Sequence, residues 1–144
     1  MTKSGEALAL FQEGFSCSQA VLAVFAGENG LSREAALRVA QPFGGGIAAS
    51  GDWCGAVTGA LQAIGHKYGR VKADDTAAKA KTYALVREFL ARFRALHGLV
   101  RCNDLLGCDI GTPEGQKAIE EKNLHRTICD TLVRDAVRIL EDIL

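Results

Sequence analysis

Apolar residues recur three and four positions apart along almost the whole chain, and no segment alternates apolar with polar residues as a half-buried strand would. That periodicity predicts an all-α protein, a compact multi-helix bundle. Ser4 is placed to cap a first helix through Phe11, which Gly14 breaks. Ser16 with Gln19 forms a capping-box pattern and opens a helix whose inward positions are Cys17, Ala20, Val21, Val24 and Phe25. Gly27 to Gly30 ends it. Ser32 can cap the next helix, Arg33 to about Ala40, and Pro42 stops that one.

Gly44-Gly45-Gly46-Ile47-Ala48-Ala49-Ser50-Gly51 is too flexible and small-sided for a helix interior and reads as a loop before the central helix. That helix runs from Trp53 to about Tyr68, with Asp52 as a candidate N-cap and Cys54, Val57, Leu61, Ile64 and Tyr68 as its apolar stripe. Gly55, Ala56, Gly59, Ala60 and Ala63 give it slim sides, so a neighbouring backbone can approach closely, as suits the centre of a bundle. Asp74 or Asp75 can cap a long helix to His97, ended by Gly98, with Tyr83, Val86, Leu90, Phe93 and Leu96 inward. A short helical turn is expected between Cys102 and Gly107. Thr112-Pro113-Glu114 starts the C-terminal helical region, which breaks near Asn123 and then buries Cys129, Leu132, Val133, Ala136, Leu140 and Ile143. No repeat or long linker divides the 144 residues, and with 48% of them hydrophobic one domain over residues 1–144 can build a sizeable core.

Lysine plus arginine and aspartate plus glutamate each number 17, so the formal charge is zero and no electrostatic footprint for nucleic acid or an anionic membrane is present. The apolar patch Leu8 to Phe11 is too brief for a signal sequence, and no stretch approaches a transmembrane span, so a soluble cytoplasmic protein without membrane insertion is expected. In that compartment thiols stay reduced. Five cysteines are then more readily catalytic, redox-cycling, metal-binding or simply buried than structural staples, and an odd number leaves at least one unpaired.

Cys54 stands where the glycine-rich loop becomes a helix, and a thiol at a helix start feels unsatisfied N–H groups that favour thiolate. Asp52 opposes this with its negative charge. Cys17 occupies the equivalent first turn of its own helix. If these two helices pack with first turns adjacent, and Cys102 and Cys129 face the same end, four thiols converge while Cys108 lies apart. His125, four residues before Cys129, is placed to accept its proton, orient it or share a metal. The cysteine spacings match no zinc ribbon, ferredoxin or thioredoxin motif, so a metal site would have to be assembled by folding from Cys17, Cys54, Cys102 and Cys129. Gly44, Gly45 and Gly46 lack the Lys-Ser/Thr of a P-loop. Their expected role is to let backbone approach a thiol or cofactor, with exposed N–H groups able to bind an anion.

Gly14-Phe15-Ser16-Cys17, Phe43-Gly44-Gly45-Gly46, Cys54-Gly55-Ala56-Val57-Thr58-Gly59, Cys102-Asn103-Asp104-Leu105-Leu106-Gly107 and Cys129 occur in the order found in the C_GCAxxG_C_C family, which the chain resembles over most of its length. Cys108 is additional to the family's four cysteines, and Ala48-Ala49 stand where a glycine and a basic residue are expected. The resemblance implies redox activity. Combined with the residues, it suggests a thiol oxidoreductase in which Cys54 reacts and Cys17, Cys102 or Cys129 resolves it as a disulfide. The partner would be a small thiol, a disulfide or a redox protein, and no cofactor is needed. A zinc or iron–sulfur module on the four cysteines, with His125 as a substitute ligand, is the second reading, and a non-enzymatic helical interaction domain the third.

Overall fold

In the computed structural model, which describes residues 1–144, eight helices and no strand make up 73% of the chain, so the class is all-α. The first helix, α1 (Lys3–Glu13), is capped by Thr2, whose hydroxyl accepts the Gly5 N–H at 3.0 Å. Ser4, the expected cap, lies inside α1 and is buried, its hydroxyl 3.3 Å from that of Thr2. The predicted capping box of Ser16 and Gln19 is complete at the start of α2 (Cys17–Ala26). Ser32 caps α3 (Arg33–Ala40) through the Ala35 N–H at 3.1 Å. The central helix is α4 (Gly55–Tyr68), followed by α5 (Thr76–His97), which Asp75 caps and Gly98 ends in the left-handed conformation. The short α6 (Cys102–Leu106) leads to α7 (Pro113–Glu121), capped by Thr112. After a break at Asn123 (φ 52°) the chain makes a π-helical turn, His125–Cys129, and enters α8 (Asp130–Ile143). No helix is long and apolar enough to cross a membrane.

The slim face of α4 lies against α2. A Cβ built on Gly59 would stand 2.6 Å from the Ser18 carbonyl oxygen and 3.0 Å from its Cα, so only hydrogen fits between the two backbones. Ser18 is fully buried, and its hydroxyl donates to the Ala40 carbonyl at 2.7 Å, tying the end of α3 to the same crossing. Around it Val21, Val57, Ile64, Phe89, Phe93, Val133, Val137 and Leu140 form the core.

The inward face of α5 is rotated from the expected one. Phe89 and Phe93 are fully buried, while Tyr83 and Leu96 are 52% and 61% exposed. The stripe runs Val86, Phe89, Leu90, Phe93 and His97, and His97 turns inward because Asp135 of α8 meets its Nε2 at 3.0 Å. Tyr83 instead offers its ring to Lys79 and Arg87 on the solvent side. Leu61 and Tyr68 of α4 are only half-buried, since the glycine and alanine face takes the centre.

The expected loop has a definite form. After a 3₁₀ turn at Gln41–Phe43, residues 45–49 all adopt positive φ (65°, 68°, 69°, 49° and 60°), winding a left-handed turn. Hydrogen bonds from the Ala48 N–H to the Pro42 carbonyl (2.8 Å) and from the Asp52 N–H to the Gly46 carbonyl (2.9 Å) hold it. Left-handed backbone costs an L-residue about 1–2 kcal/mol, which Ile47, Ala48 and Ala49 all bear. Glycine at the exposed Ala48 position would remove that strain but lose about 0.5–1 kcal/mol to unfolded-state entropy. Ala48→Gly is therefore expected to stabilise the protein by up to about 1 kcal/mol, raising Tm by about 2 °C in a thermal melt. A lower Tm would show that the turn is not strained at this residue.

Candidate functional site

Residues 51–54 pair antiparallel with residues 100–103. The Cys54 N–H donates to the Val100 carbonyl (2.8 Å), the Cys102 N–H to the Asp52 carbonyl (2.6 Å) and the Asn103 N–H to the Gly51 carbonyl (3.1 Å), with Trp53 opposite Arg101. This short ribbon carries Cys102 to the start of α4. Two glycines allow it. A Cβ at Gly51 would overlap the Asn103 amide, and one at Gly46 would stand 2.8 Å from the Cys102 Cβ. Asp52 does not cap α4. Its carboxylate faces Arg101 at 3.6 Å, and Cys54 itself occupies the N-cap position, so the helix starts two residues after Trp53.

The first turns of α2 and α4 meet, as expected from their cysteines. A Cβ at Gly55 would come within 2.4 Å of the Cys17 Sγ, so the sulfur rests directly on the α4 backbone. The hydrogen bond from the Cys54 thiol is the chief influence on Cys17 and lowers its pKa to about 7. Burial opposes this, and backbone N–H groups of Ser18, Gly45 and Cys17 itself assist it. Cys54 is pushed well above its ordinary value by the same hydrogen bond, then by burial and the Cys17 charge, against the N–H groups of Ala56 and Val57. Sequence reasoning assigned the thiolate to Cys54. In the structure Cys54 is only 4% exposed, while Cys17 keeps part of its surface open and is the one of the pair whose pKa is lowered.

Cys17, Cys54, Cys102 and Cys129 all line one cavity of about 20 Å³, completed by Gly55, Leu105, Leu106 and Leu132. That is room for one water. Burial raises Cys102 to about 12, with the Cys17 charge second and that of Cys108 third. Cys129 is likewise pushed up to about 12 by burial and then by the charges of Cys17, Cys102 and Asp130. Of the four cavity thiols only Cys17 is drawn below its ordinary value. All five cysteines are free, and Cys108 lines no part of the cavity, its thiol pointing at the Gly115 carbonyl 3.8 Å away.

His125 does not join the pocket. Its ring packs edge-on against Phe11 with centroids 5.9 Å apart, and burial lowers its pKa. The glycines of the loop do not line the cavity either: Gly44 presses on Ser16 and Gly46 on Asp52 and Cys102, while Gly45 supplies an N–H to the Cys17 sulfur. No group of three or more His, Cys, Asp or Glu side chains is arranged to hold a metal ion. Asn103, absent from the candidates, latches the site by accepting the Ile110 N–H at 3.0 Å and donating to Asp109 at 3.2 Å. Its position beside Cys102 was the only available signal, because its partners are set by the turn after α6.

No curated protein and no solved structure matches the chain. A family model described as "Putative redox-active protein (C_GCAxxG_C_C)" matches residues 15–143. The four cysteines for which that family is named are the four that fold around one cavity here, and the match runs through every helix that supplies them. The chain therefore belongs to the redox-active C_GCAxxG_C_C family.

Proposed function

We propose that this protein is a thiol–disulfide oxidoreductase in which Cys17 is the attacking thiolate and Cys54 the resolving thiol. The observation that carries this reading is the meeting of the first turns of α2 and α4, which sets the Cys17 sulfur on the α4 backbone beside Cys54 in a four-cysteine cavity. An external disulfide or peroxide reaches the part-open Cys17 first. With a disulfide, the Cys17 sulfur bonds to one substrate sulfur and the other leaves as a thiolate. Cys54 then loses its proton, attacks the Cys17 Sγ and releases the second substrate thiolate, leaving a Cys17–Cys54 disulfide. With a peroxide, one oxygen passes to Cys17 as a sulfenic acid and the other leaves as an alcohol or water, and condensation with Cys54 then expels the transferred oxygen as water. A thiol reductant returns the pair to the dithiol, and the cycle draws on no cofactor.

The metal reading fits the residues less well. The thiols are not in a chelating arrangement, and the space between them is that of a water, smaller than an iron–sulfur cluster. A purely structural set of buried cysteines would not require two helix starts and a loop N–H to converge on one sulfur.

The test is the pH dependence of alkylation by iodoacetamide, read by peptide mapping. Below its pKa Cys17 is protonated and slow, and above it the thiolate reacts, so labelling at Cys17 should rise through about pH 7 and level off above about pH 8. Cys54 should label later. First labelling at Cys54 or Cys108, or stoichiometric iron or zinc held by the four thiols after anaerobic purification, would overturn the assignment.

A further inference from the structure

Cys108 is the one cysteine the dithiol reading leaves unused. It follows Gly107, which ends α6 in the left-handed conformation (φ 72°) with its N–H on the Asn103 carbonyl at 2.8 Å. Such a cap folds the next residue back over the first turn of the helix, where Cys102 stands. Cys102 and Cys108 accordingly pack against the same apolar cluster of Leu106, Ile110, Ile119 and Leu124. Cys102 and Cys129 both line the four-cysteine cavity and touch this cluster, but of the two only Cys102 stands close enough to Cys108 to feel its charge. One thiol thus borders both the buried pair and a second, outlying thiol.

We propose that Cys102 and Cys108 form a second dithiol that takes over the disulfide from Cys17–Cys54 and presents it to the reductant outside the cavity. This rests on the dithiol reading above. The Cys102 thiolate attacks Sγ of Cys54, the Cys17–Cys54 bond breaks, and Cys17 leaves as thiolate, the better leaving group of the two. The Cys108 thiolate then attacks Sγ of Cys102, closing Cys102–Cys108 and releasing Cys54. Of the two protons given up by Cys102 and Cys108, one returns to Cys54 and the other goes to Cys17 or solvent. One disulfide is broken and one formed, so the transfer consumes no outside oxidant. An external dithiol finally reduces Cys102–Cys108.

The direction of transfer has an electrostatic reason. Burial and the Cys17 charge together hold Cys102 protonated in the reduced protein. Once Cys17 is bound in a disulfide its charge is gone, and Cys102 becomes easier to ionise at the moment when its attack is needed.

The experiment oxidises the full-length protein with one equivalent of hydrogen peroxide, quenches with N-ethylmaleimide at intervals and maps disulfides by mass spectrometry. Cys17–Cys54 should appear first and Cys102–Cys108 later. In Cys108→Ser the Cys17–Cys54 disulfide should persist, and its reduction by dithiothreitol should slow by about tenfold or more, as loss of an exchange partner entails. Cys102→Ser should slow it equally, and the double variant no further. Circular dichroism of each variant checks that it folds, and Cys108→Ala should repeat the Cys108→Ser result. If Cys17–Cys54 forms normally but Cys102–Cys108 never appears, or Cys102 bridges to Cys129 instead, or the variants reduce at the wild-type rate, the relay is overturned and the dithiol reading stands. Failure of Cys17–Cys54 to form overturns the dithiol reading and the relay with it.

Discussion

Gly59→Ala is expected to destabilise the protein by about 2–3 kcal/mol, lowering Tm by about 5–10 °C, while Gly65→Ala in the same helix stabilises it by about 0.5–1 kcal/mol. The two substitutions are chemically identical and both gain helix propensity. They differ in what the new methyl meets. At Gly65 nothing lies within 4 Å, whereas at Gly59 the Cβ would stand 2.6 Å from a carbonyl oxygen of α2 and 3.0 Å from its Cα. No side-chain rotation relieves a clash between backbones, so α2 and α4 must separate, loosening Val21, Val57 and Ile64 at the centre of the core. Thermal or urea unfolding of the pair checks this. Equal shifts in the two variants would mean that the close crossing of α2 and α4 does not limit stability.

Cys17→Ser is expected to lower thiol reactivity at pH 7 by about 50-fold, with the fold intact. A thiol with a pKa of about 7 is about half ionised at that pH, and one at the ordinary 9.0 about 1% ionised. The serine hydroxyl does not ionise, and no other cavity thiol has a depressed pKa to replace it. Cys54→Ser should behave differently. The hydroxyl can still donate to the Cys17 sulfur, so the first attack survives, but the intramolecular disulfide is lost and a sulfenic acid or mixed disulfide accumulates on Cys17. Stopped-flow alkylation and mass spectrometry of the oxidised variants separate the two roles. Unchanged reactivity in Cys17→Ser, with the rate lost in Cys54→Ser, would return the nucleophile to Cys54.

The helices were legible because their signals are local. Ser16 with Gln19, Ser32, Asp75 and Thr112 before Pro113 each satisfy N–H groups within three residues, so the sequence around them is enough to place α2, α3, α5 and α7. The small residues of α4 likewise announced a central helix. Where two local solutions competed, the sequence could not choose. Ser4 and Thr2 are both able to cap α1, and Leu96 and His97 both continue the stripe of α5. Asp135, thirty-eight residues beyond His97, decided the second case by offering it a partner across the bundle.

The candidate site divides the same way. That Cys17 and Cys54 stand at helix starts, with a glycine loop between them, follows from caps, glycines and three-to-four spacing alone. Which of them carries the charge does not, because thiol acidity sums contributions from groups far apart in the chain. The Gly45 N–H reaches Cys17 through a left-handed turn, and the Cys54 thiol reaches it across the α2–α4 crossing. Cys102 arrives by a four-residue ribbon with residues 51–54, too short to leave a periodic signal. The chain by itself therefore determined an all-α bundle and the four cysteines to watch. Only the tertiary structure decided that the Cys17 sulfur rests on the first turn of α4 and that the four cysteines share one cavity, since packing acts through space.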